Sequence, residues 1–526
     1  MTTTAVPKPP ERAPALPEMG DKTRFGLSVL TTALFLGILG DLLLRISPWG
    51  LNFLLWAFAL FGVLTLLVRR WNTDLVKDVR CLALTALPFA AGFVWRDSGI
   101  LKFLNTVAIL TVLALLTMRA QSIQLRIAGL IKYVWGAAFT ALNIIAGVFS
   151  LLFINIKWNE ISHEGWGKSA LPVGRGILIA FPIVMVFGGL LIAADAVFEG
   201  FVKKIIDINI QEILKHLFFT GLGAWIAGGI LHGIFFSKEE RLPENPPSNS
   251  LVIGIPETAI ALGLLNLLFL SFVFVQFRYF FGGADLVAIT PGLTYAEYAR
   301  RGFFELVTVA GLVLPLLLGW HWLLPKENRK SEKIFRVLAG VMILLLFVIM
   351  LSALKRMRLY QSEYGLTELR LYTTVFMAWL AVVFVWFGLT VLRGLRERFT
   401  FGAVITGFVA IFTLQSINPD DLIVRTNTEL AQSGKSFDVD YAATLSDDAL
   451  PAIVEALPSL NEADQKKVFD SIIVPKLISL KSDWRTWSWS RHQAEKAVEE
   501  YREPFQNIMN SLYYGDSPIL SYSIPF

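Results

Sequence analysis

The chain has 526 residues, of which 55% are hydrophobic and only 17% are charged, and its mean hydropathy is +0.58. A soluble chain carries about 25% charged residues, so this composition excludes an ordinary soluble protein. The net charge of +5 comes mostly from Lys and Arg in short segments between apolar runs, which reports membrane topology and lipid contact rather than a nucleic-acid partner. The single cysteine, Cys81, excludes an intramolecular disulfide.

Apolar runs of about 18 or more residues recur along the chain, which is the signature of membrane-spanning helices. We therefore predict an all-α fold: a polytopic transmembrane helical bundle of about 12 spans, within a range of about 11 to 13, and a small C-terminal helical soluble domain. The predicted spans cover residues 25–44, 51–68, 81–95, 100–118, 133–155, 173–196, 217–236, 253–277, 303–324, 335–354, 371–392 and 401–416. The third span is short and contains Pro88.

Composition divides the chain into five parts. Residues 1–24 are rich in Pro, Thr and charge, which predicts a disordered tail. Residues 25–236 form a first membrane part, in which the charged and apolar residues of 198–215 predict a helix in the interface. A polar, proline-rich loop at 237–252 separates it from a second membrane part at 253–416.

Residues 417–526 have a mixed composition, which predicts an extramembrane helical domain. Ser446-Asp-Asp-Ala and Asn461-Glu-Ala-Asp are typical helix starts. Trp484, Trp487 and Trp489 lie close together near arginines. They fit two interpretations, a contact with the bilayer surface or the core of this domain.

Two polar passages at residues 276–306 and 355–372 lie between apolar runs, where polarity costs free energy unless it is paired or wetted. Glu297, Arg301 and Glu305 are four residues apart and share one helix face, so Arg301 can bridge both carboxylates. With the start of the tail, the passages give a candidate set that we call the polar layer: Arg278, Tyr295, Glu297, Tyr298, Arg300, Arg301, Glu305, Arg358, Tyr360, Glu363, Tyr364, Glu368, Arg370, Asn418, Asp420, Arg425 and Asn427.

Span parity places these three segments on one side of the membrane. Two interpretations then compete. The polar layer is either a network that ties the C-terminal domain to the bundle, or a pocket for an anionic head group or solute. In the second case the donors would be Arg278, Arg300, Arg301 and Arg358.

Catalysis by paired carboxylates is a third interpretation. The sequence has no Walker loop, nucleophile elbow or His–Glu metal helix, and no two of its five histidines lie three or four residues apart. We therefore predict no catalytic residue, no metal site and no cofactor.

Four motifs in these passages resemble a family of bacterial multi-pass membrane proteins catalogued as domain of unknown function 4173, sometimes grouped with 4153. The motifs lie at residues 277–283, 294–306, 358–370 and 418–427. The likeness covers roughly residues 80 to 455. It implies a protein of the bacterial cytoplasmic membrane and supplies no reaction, ligand or cofactor.

We expect a non-enzymatic membrane protein of the bacterial cell envelope that serves assembly or signalling contacts. The alternative is a transporter or a lipid-binding protein that uses the polar layer. Expected partners are the lipid bilayer, an anionic lipid or solute, and envelope proteins. The charges leave the orientation open, because the basic N-terminal tail favours a cytoplasmic N-terminus while twelve spans would then place the basic segment 326–333 outside.

Overall fold

The structure is a computed structural model. It describes residues 20–71, 75–160, 176, 180, 184, 187–195, 197–198, 200, 210–236, 254–288, 303–324, 329–478 and 483–502, with the side chains of residues 159, 210, 276–288 and 500 left aside. Over these ranges the secondary structure is helical, with no strand. The predicted all-α fold class is confirmed.

Eleven helices among the described residues are long and apolar enough to cross a membrane. They are α1 Asp21–Leu44, α2 Leu51–Arg70, α3 Val76–Trp95, α4 Gly99–Ala120, α5 Leu130–Ser150, α6 Ile210–Phe235, α7 Ile255–Ala288, α8 Phe303–Leu323, α9 Arg329–Tyr364, α10 Glu368–Thr390 and α11 Phe399–Ile417. A π-helical turn extends α5, and short 3-10 turns follow α10 and precede α11.

These helices match eleven of the predicted spans one to one. The short third span is a helix of 20 residues that carries Pro88 inside it. The predicted span at 173–196 and the predicted interfacial helix at 198–215 lie largely outside the described residues, although residues 210–215 belong to α6. The predicted tail at 1–24 lies outside them up to residue 19, and α1 begins at Asp21.

The chain divides into two compact units. The first comprises residues 1–45, 59–76 and 139–237, and the second comprises residues 46–58, 77–138 and 238–526. The five-part division inferred from composition remains a prediction.

In the first unit, α1 packs along α6 because glycine lets their backbones touch. A Cβ at Gly37 would collide with the backbone of α6 near Thr220 and Ala224, which is the small-residue packing typical of membrane helices. Near one end of this pair, Asp41 Oδ2 lies 2.5 Å from His216 Nδ1. Polar side chains within the helices are thus paired across the contact.

The membrane helices of the second unit share a core between α7, α8, α9 and α10. Phe335, Leu346 and Phe387 are fully buried there. On the outer faces large apolar side chains stay exposed, such as Leu344 at 68% and Phe274 at 80%. Such faces are stable only against lipid, so the membrane-spanning helices contact the bilayer.

Six shorter helices follow the last span: α12 Pro419–Gln432, α13 Val439–Ala442, α14 Leu450–Ala456, α15 Glu462–Val468, α16 Val474–Ile478 and α17 Trp489–Val498. They share a second core, in which Val424, Val468 and Ala494 are buried. Both predicted helix starts are confirmed. Ser446 caps a 3-10 turn, and Asn461 Oδ1 accepts the backbone N–H of Asp464 at 2.9 Å.

Candidate functional site

The three-residue turn between α3 and α4 holds a buried carboxylate from the C-terminal helices. Asp448 is 4% exposed, and its Oδ2 accepts the backbone N–H groups of Asp97 at 2.6 Å and Ser98 at 3.0 Å. These N–H groups stand at the N-terminus of α4, where the helix dipole favours a negative charge. Arg96 Nη1 lies 3.5 Å from Asp448 Oδ1. The N–H groups of the turn therefore replace the hydrogen bonds to water that the Asp448 carboxylate loses on burial.

A second buried carboxylate, Asp420, shares a hydroxyl group with Asp448. Ser446 Oγ lies 2.5 Å from Asp420 Oδ2 and 3.2 Å from Asp448 Oδ2, and the Ser446 N–H donates to Asp420 Oδ2 at 3.1 Å. Asp420 Oδ1 is buried and accepts no hydrogen bond from the described residues. Burial raises the pKa of Asp420; the Ser446 hydrogen bond partly opposes this, and the charge of Asp448 adds to it.

Arg491 of α17 reaches the same turn from the other side. It is 7% exposed, and its Nε and Nη2 donate to Asp97 Oδ1 at 3.1 and 2.9 Å. Lys102 Nζ lies 2.5 Å from the same oxygen. The other guanidinium N–H groups of Arg491 donate to the carbonyls of Thr486 and Trp49. Both partners of this buried ion pair are therefore satisfied, which is the condition for its persistence.

These contacts join one turn of the membrane bundle to α12, the loop before α14, and α17. We call the set the polar junction: Arg96, Asp97, Asp420, Ser446, Asp448 and Arg491.

A second connection lies at the turn between α9 and α10. Asn427 Oδ1 accepts the N–H of Leu366 at 2.6 Å, and Asn427 Nδ2 donates to the Leu366 carbonyl at 2.9 Å. Gly365 adopts a left-handed φ of 71°, and a Cβ there would collide with Asn427. The N–H of Glu368 donates to the Tyr441 hydroxyl at 2.7 Å. Burial raises the pKa of Tyr441, so that hydroxyl stays neutral.

The second polar passage and the tail motif therefore meet, as span parity predicted. In the tail, Asn418 takes a left-handed φ of 56° between α11 and α12, a conformation that asparagine tolerates. Its Nδ2 donates to the Asp448 carbonyl at 3.4 Å. Arg425 pairs with Asp421 and Glu455, both at 2.9 Å.

In the second passage, Arg370 closes the C-terminal end of α9. It donates to the carbonyls of Tyr364 at 3.0 Å and Gly365 at 2.5 Å, and its guanidinium lies 4.2 Å from the centre of the Tyr360 ring. Such capping satisfies carbonyls that have no partner within the helix. Glu363 pairs with Lys435 of the C-terminal helices at 2.5 Å.

The rest of the polar layer is exposed or lies outside the description. The side chains of Arg358 and Glu305 are exposed. Arg278 belongs to α7, but its side chain is outside the described set. Also outside it are Tyr295, Glu297, Tyr298, Arg300 and Arg301. The predicted Glu297–Arg301–Glu305 stripe therefore remains a prediction.

Of the polar junction, the predicted polar layer contained only Asp420, and sequence reasoning assigned no site role to the other five residues. Arg96 and Asp97 lay between two predicted spans with no predicted role, and Asp448 was predicted only as part of a helix start. A signal was present, because two charged residues in a three-residue turn between membrane spans require partners. Arg491 carried no such signal, since its partners lie almost 400 positions away along the chain.

The clustered tryptophans are exposed rather than buried in the C-terminal core. Trp484, Trp487 and Trp489 are 64%, 41% and 48% exposed. The Trp487 carbonyl accepts the N–H of Leu51 at 2.9 Å, which is the first residue of α2. The cluster therefore lies level with a span end, where tryptophan is favoured in membrane proteins.

The chemistry of the polar junction is that of a structural contact. The Oδ2 atoms of Asp448 and Asp420 accept backbone N–H and hydroxyl donors, and Asp97 Oδ1 accepts guanidinium donors. Within the described ranges no three His, Cys, Asp or Glu side chains are placed to hold one metal ion.

The fold and this site define the protein as a multi-pass α-helical membrane protein with its C-terminal helices joined to the bundle. Residues 79–456 match the family described as Domain of unknown function (DUF4153). The chain belongs to this family, which confirms the resemblance to the group numbered 4153 and its expected extent. The match includes Asp97, Asp420 and Asp448 and ends before Arg491. Neither a curated protein nor a solved structure matches the chain.

Proposed function

We propose that this protein is a non-enzymatic component of the bacterial cytoplasmic membrane that holds its C-terminal helical domain at the bilayer surface for assembly or signalling contacts in the cell envelope. The polar junction is the observation that carries the proposal. A protein that only tethers a domain needs no buried ion pairs, whereas one that presents a surface in a fixed orientation needs several contacts.

The number of connections supports a fixed orientation. One residue, Asn418, separates α11 from α12. The C-terminal helices are then held again at Asp448, at Asn427 and at Arg491. A domain held at several points loses its freedom to rotate about the α11–α12 connection when the protein folds. Binding a partner then does not cost this conformational entropy again.

The alternative, an anionic-ligand pocket in the polar layer, has less support. Arg370 is engaged by helix-end carbonyls and the Tyr360 ring, and Arg425 by two carboxylates. A ligand would have to displace these contacts. Arg358 is exposed and lies on the surface of α9.

Charge supports one orientation of the second unit. The Asp78–Arg119 ion pair links the start of α3 to the end of α4. Residues of the α4–α5, α8–α9 and α10–α11 connections line one cavity, so all these segments lie at the same end of the second unit. This end, opposite the polar junction, carries twelve described basic residues: Lys77, Arg80, Arg119, Arg126, Lys132, Arg329, Lys330, Lys333, Arg336, Arg393, Arg396 and Arg398. The junction end carries seven in its short segments: Arg96, Lys102, Arg278, Lys355, Arg356, Arg358 and Arg370.

Short basic segments are retained in the cytoplasm. We therefore infer that the polar junction and the C-terminal domain lie outside the cytoplasm. The exposed tryptophans at the span ends then rest at the outer surface of the membrane, and the partners are periplasmic or envelope proteins.

A topology reporter tests this orientation. Alkaline phosphatase, which is active only outside the cytoplasm, and a fluorescent protein that matures only inside are each fused after residue 526. We expect phosphatase activity and no fluorescence. A fluorescent and phosphatase-inactive pair of fusions contradicts the orientation.

The contacts are tested in living cells with a photo-crosslinking amino acid at Trp484, an exposed position of the C-terminal domain. We expect discrete cross-linked products that contain a second protein. The control position is Leu344, whose exposed side chain faces lipid. Products at neither position, or the same products at both, would contradict a role of the C-terminal domain in specific protein contacts.

A further inference from the structure

A second charged site lies at the end of the second unit opposite the polar junction. α10 separates the two ends, and its 23 residues correspond to roughly 35 Å of helix. A cavity of about 430 Å³ opens there between the end of α8, the start of α9, and the connections α4–α5 and α10–α11. This volume is in the range of small-molecule sites.

The polar part of the cavity wall is rich in arginine. Arg396 and Arg398 line it together with His321, Glu332 and Glu397. Arg336 neutralises Glu332 through a 2.5 Å ion pair. Neither Arg396 nor Arg398 pairs with a carboxylate of the described residues. Arg396 and Arg398 together with Glu397 therefore leave one positive charge in excess on the cavity wall. The two guanidinium groups have room to donate to a new acceptor.

A left-handed glycine directs these arginines to the cavity. Gly394 has a φ of 82°, and its N–H and that of Leu395 return to the carbonyls of Val391 and Thr390 at 3.0 and 2.8 Å. This arrangement ends the helical segment and reverses the chain. A Cβ at Gly394 would stand 3.2 Å from Arg336 Nη2. Because glycine has no side chain, the chain can turn tightly beside Arg336 at Gly394. Arg396 lies two residues after this turn.

The remaining wall is apolar and open. Ile127 and Leu395 line the cavity and are 47% and 44% exposed, and Leu324 is buried behind them. Trp322, one residue from His321, is 37% exposed, as is typical at the level of lipid head groups. Guanidinium groups beside exposed apolar side chains match a molecule that joins a phosphate to hydrocarbon.

We propose that this cavity is a binding site for a phosphate-bearing ligand, namely the head group of an anionic phospholipid, with Arg396 and Arg398 as the phosphate donors. Guanidinium forks bind phosphate oxygens in pairs. The apolar wall continues into the region of the acyl chains. The proposal is independent of the role of the polar junction.

Native mass spectrometry of the full chain tests the site. The protein is purified in nanodiscs of phosphatidylcholine with or without about one third phosphatidylglycerol, and the retained lipids are counted after mild detergent release. We expect selective retention of phosphatidylglycerol by the wild type. Arg396→Ala/Arg398→Ala should weaken it about 25-fold, or about fivefold per arginine, from the contribution of one basic residue near anionic lipid.

Arg69→Ala/Arg70→Ala is the matched control, because it removes two adjacent exposed arginines from another span end. It should retain the lipid as the wild type does. A third variant, Arg396→Lys/Arg398→Lys, keeps the charge and loses the forked geometry, so retention should fall between the two. Equal melting temperatures in pure phosphatidylcholine show that the variants are folded.

Inorganic phosphate, added to the protein in pure phosphatidylcholine, distinguishes the source of the phosphate. No change in melting temperature is expected. A rise that disappears in Arg396→Ala/Arg398→Ala, without phosphatidylglycerol retention, would overturn the lipid assignment in favour of a soluble phosphate compound. Equal retention of phosphatidylglycerol by the wild type and both alanine pairs would overturn the site itself.

Discussion

Replacing Asp448 by alanine removes the carboxylate that the α3–α4 turn surrounds. The change deletes two backbone hydrogen bonds, the bond from Ser446 and the ion pair with Arg96. Removing one partner of a buried charged contact costs about 3–5 kcal/mol, because the other partner stays buried and unpaired. Part of this cost falls on the N–H groups of Asp97 and Ser98, which lose their acceptor.

Hydrogen exchange measures the loss where it acts. Opening of the C-terminal helices should become easier by the same 3–5 kcal/mol, so protected amides of α14 and α17 should exchange about 10² to 5 × 10³ times faster. Amides in the core of α9 and α10 should change far less. Asp448→Asn keeps the shape and one acceptor, so its effect should be smaller, about 1–2 kcal/mol.

The control is Asp440→Ala in the same domain. Asp440 pairs with Lys467 at 2.6 Å, but their side chains are 77% and 45% exposed. Exposed pairs contribute about 0–1 kcal/mol, so exchange should change by fivefold or less. If Asp448→Ala and Asp440→Ala have equal effects, the polar junction does not hold the C-terminal helices and the physical reasoning is refuted.

Three further changes probe the neighbouring contacts. Burial raises the pKa of Asp420 above its ordinary value of 3.8, so the wild type is destabilised as the pH rises through the folded pKa. Asp420→Asn should therefore melt at a higher temperature than the wild type at pH 7, and this difference should vanish below the ordinary pKa of aspartate. A difference that grows toward acid pH would contradict the upward direction of the Asp420 pKa shift. Asn427→Ala should cost about 2 kcal/mol and speed exchange of the Leu366 amide about 30-fold, whereas Asn427→Asp keeps the acceptor and loses about half of that; unchanged exchange in both would show that this side chain does not hold the turn. Gly365→Ala should cost at least about 1 kcal/mol, measured by thermal unfolding, because its φ is 71° and its Cβ would collide with Asn427. An unchanged melting temperature would mean that the turn can rearrange.

The sequence predicted what composition and period control. Lengths of the apolar runs located eleven spans, including the one that contains Pro88, since lipid leaves a spanning chain few alternatives to a helix. The boundaries were less accurate, because α7 and α9 continue to Ala288 and Tyr364, well past the predicted ends at 277 and 354. Helix starts at Ser446 and Asn461 were also readable, because a cap needs only a polar side chain beside its own helix.

Contacts between distant segments were less accessible. Parity predicted that the second polar passage meets the tail, and Asn427 at Leu366 is where they touch. It could not predict that Asp97 meets Arg491, because both have ordinary local roles as loop and helix residues. The arginines of the cavity, Arg396 and Arg398, were hidden for a similar reason: short basic segments are expected at span ends whether or not they bind anything.

The interaction between Asp97 and Arg491 tests the central claim, that the polar junction fixes the C-terminal helices to the bundle, most directly. A double-mutant cycle of Asp97→Ala and Arg491→Met, read from the exchange of α17 amides, isolates this one contact. With two guanidinium hydrogen bonds at 3.1 and 2.9 Å and both partners shielded from water, we predict a coupling of about 2–3 kcal/mol. A coupling within about 0.5 kcal/mol of zero, the range expected for independent sites, would contradict the claim.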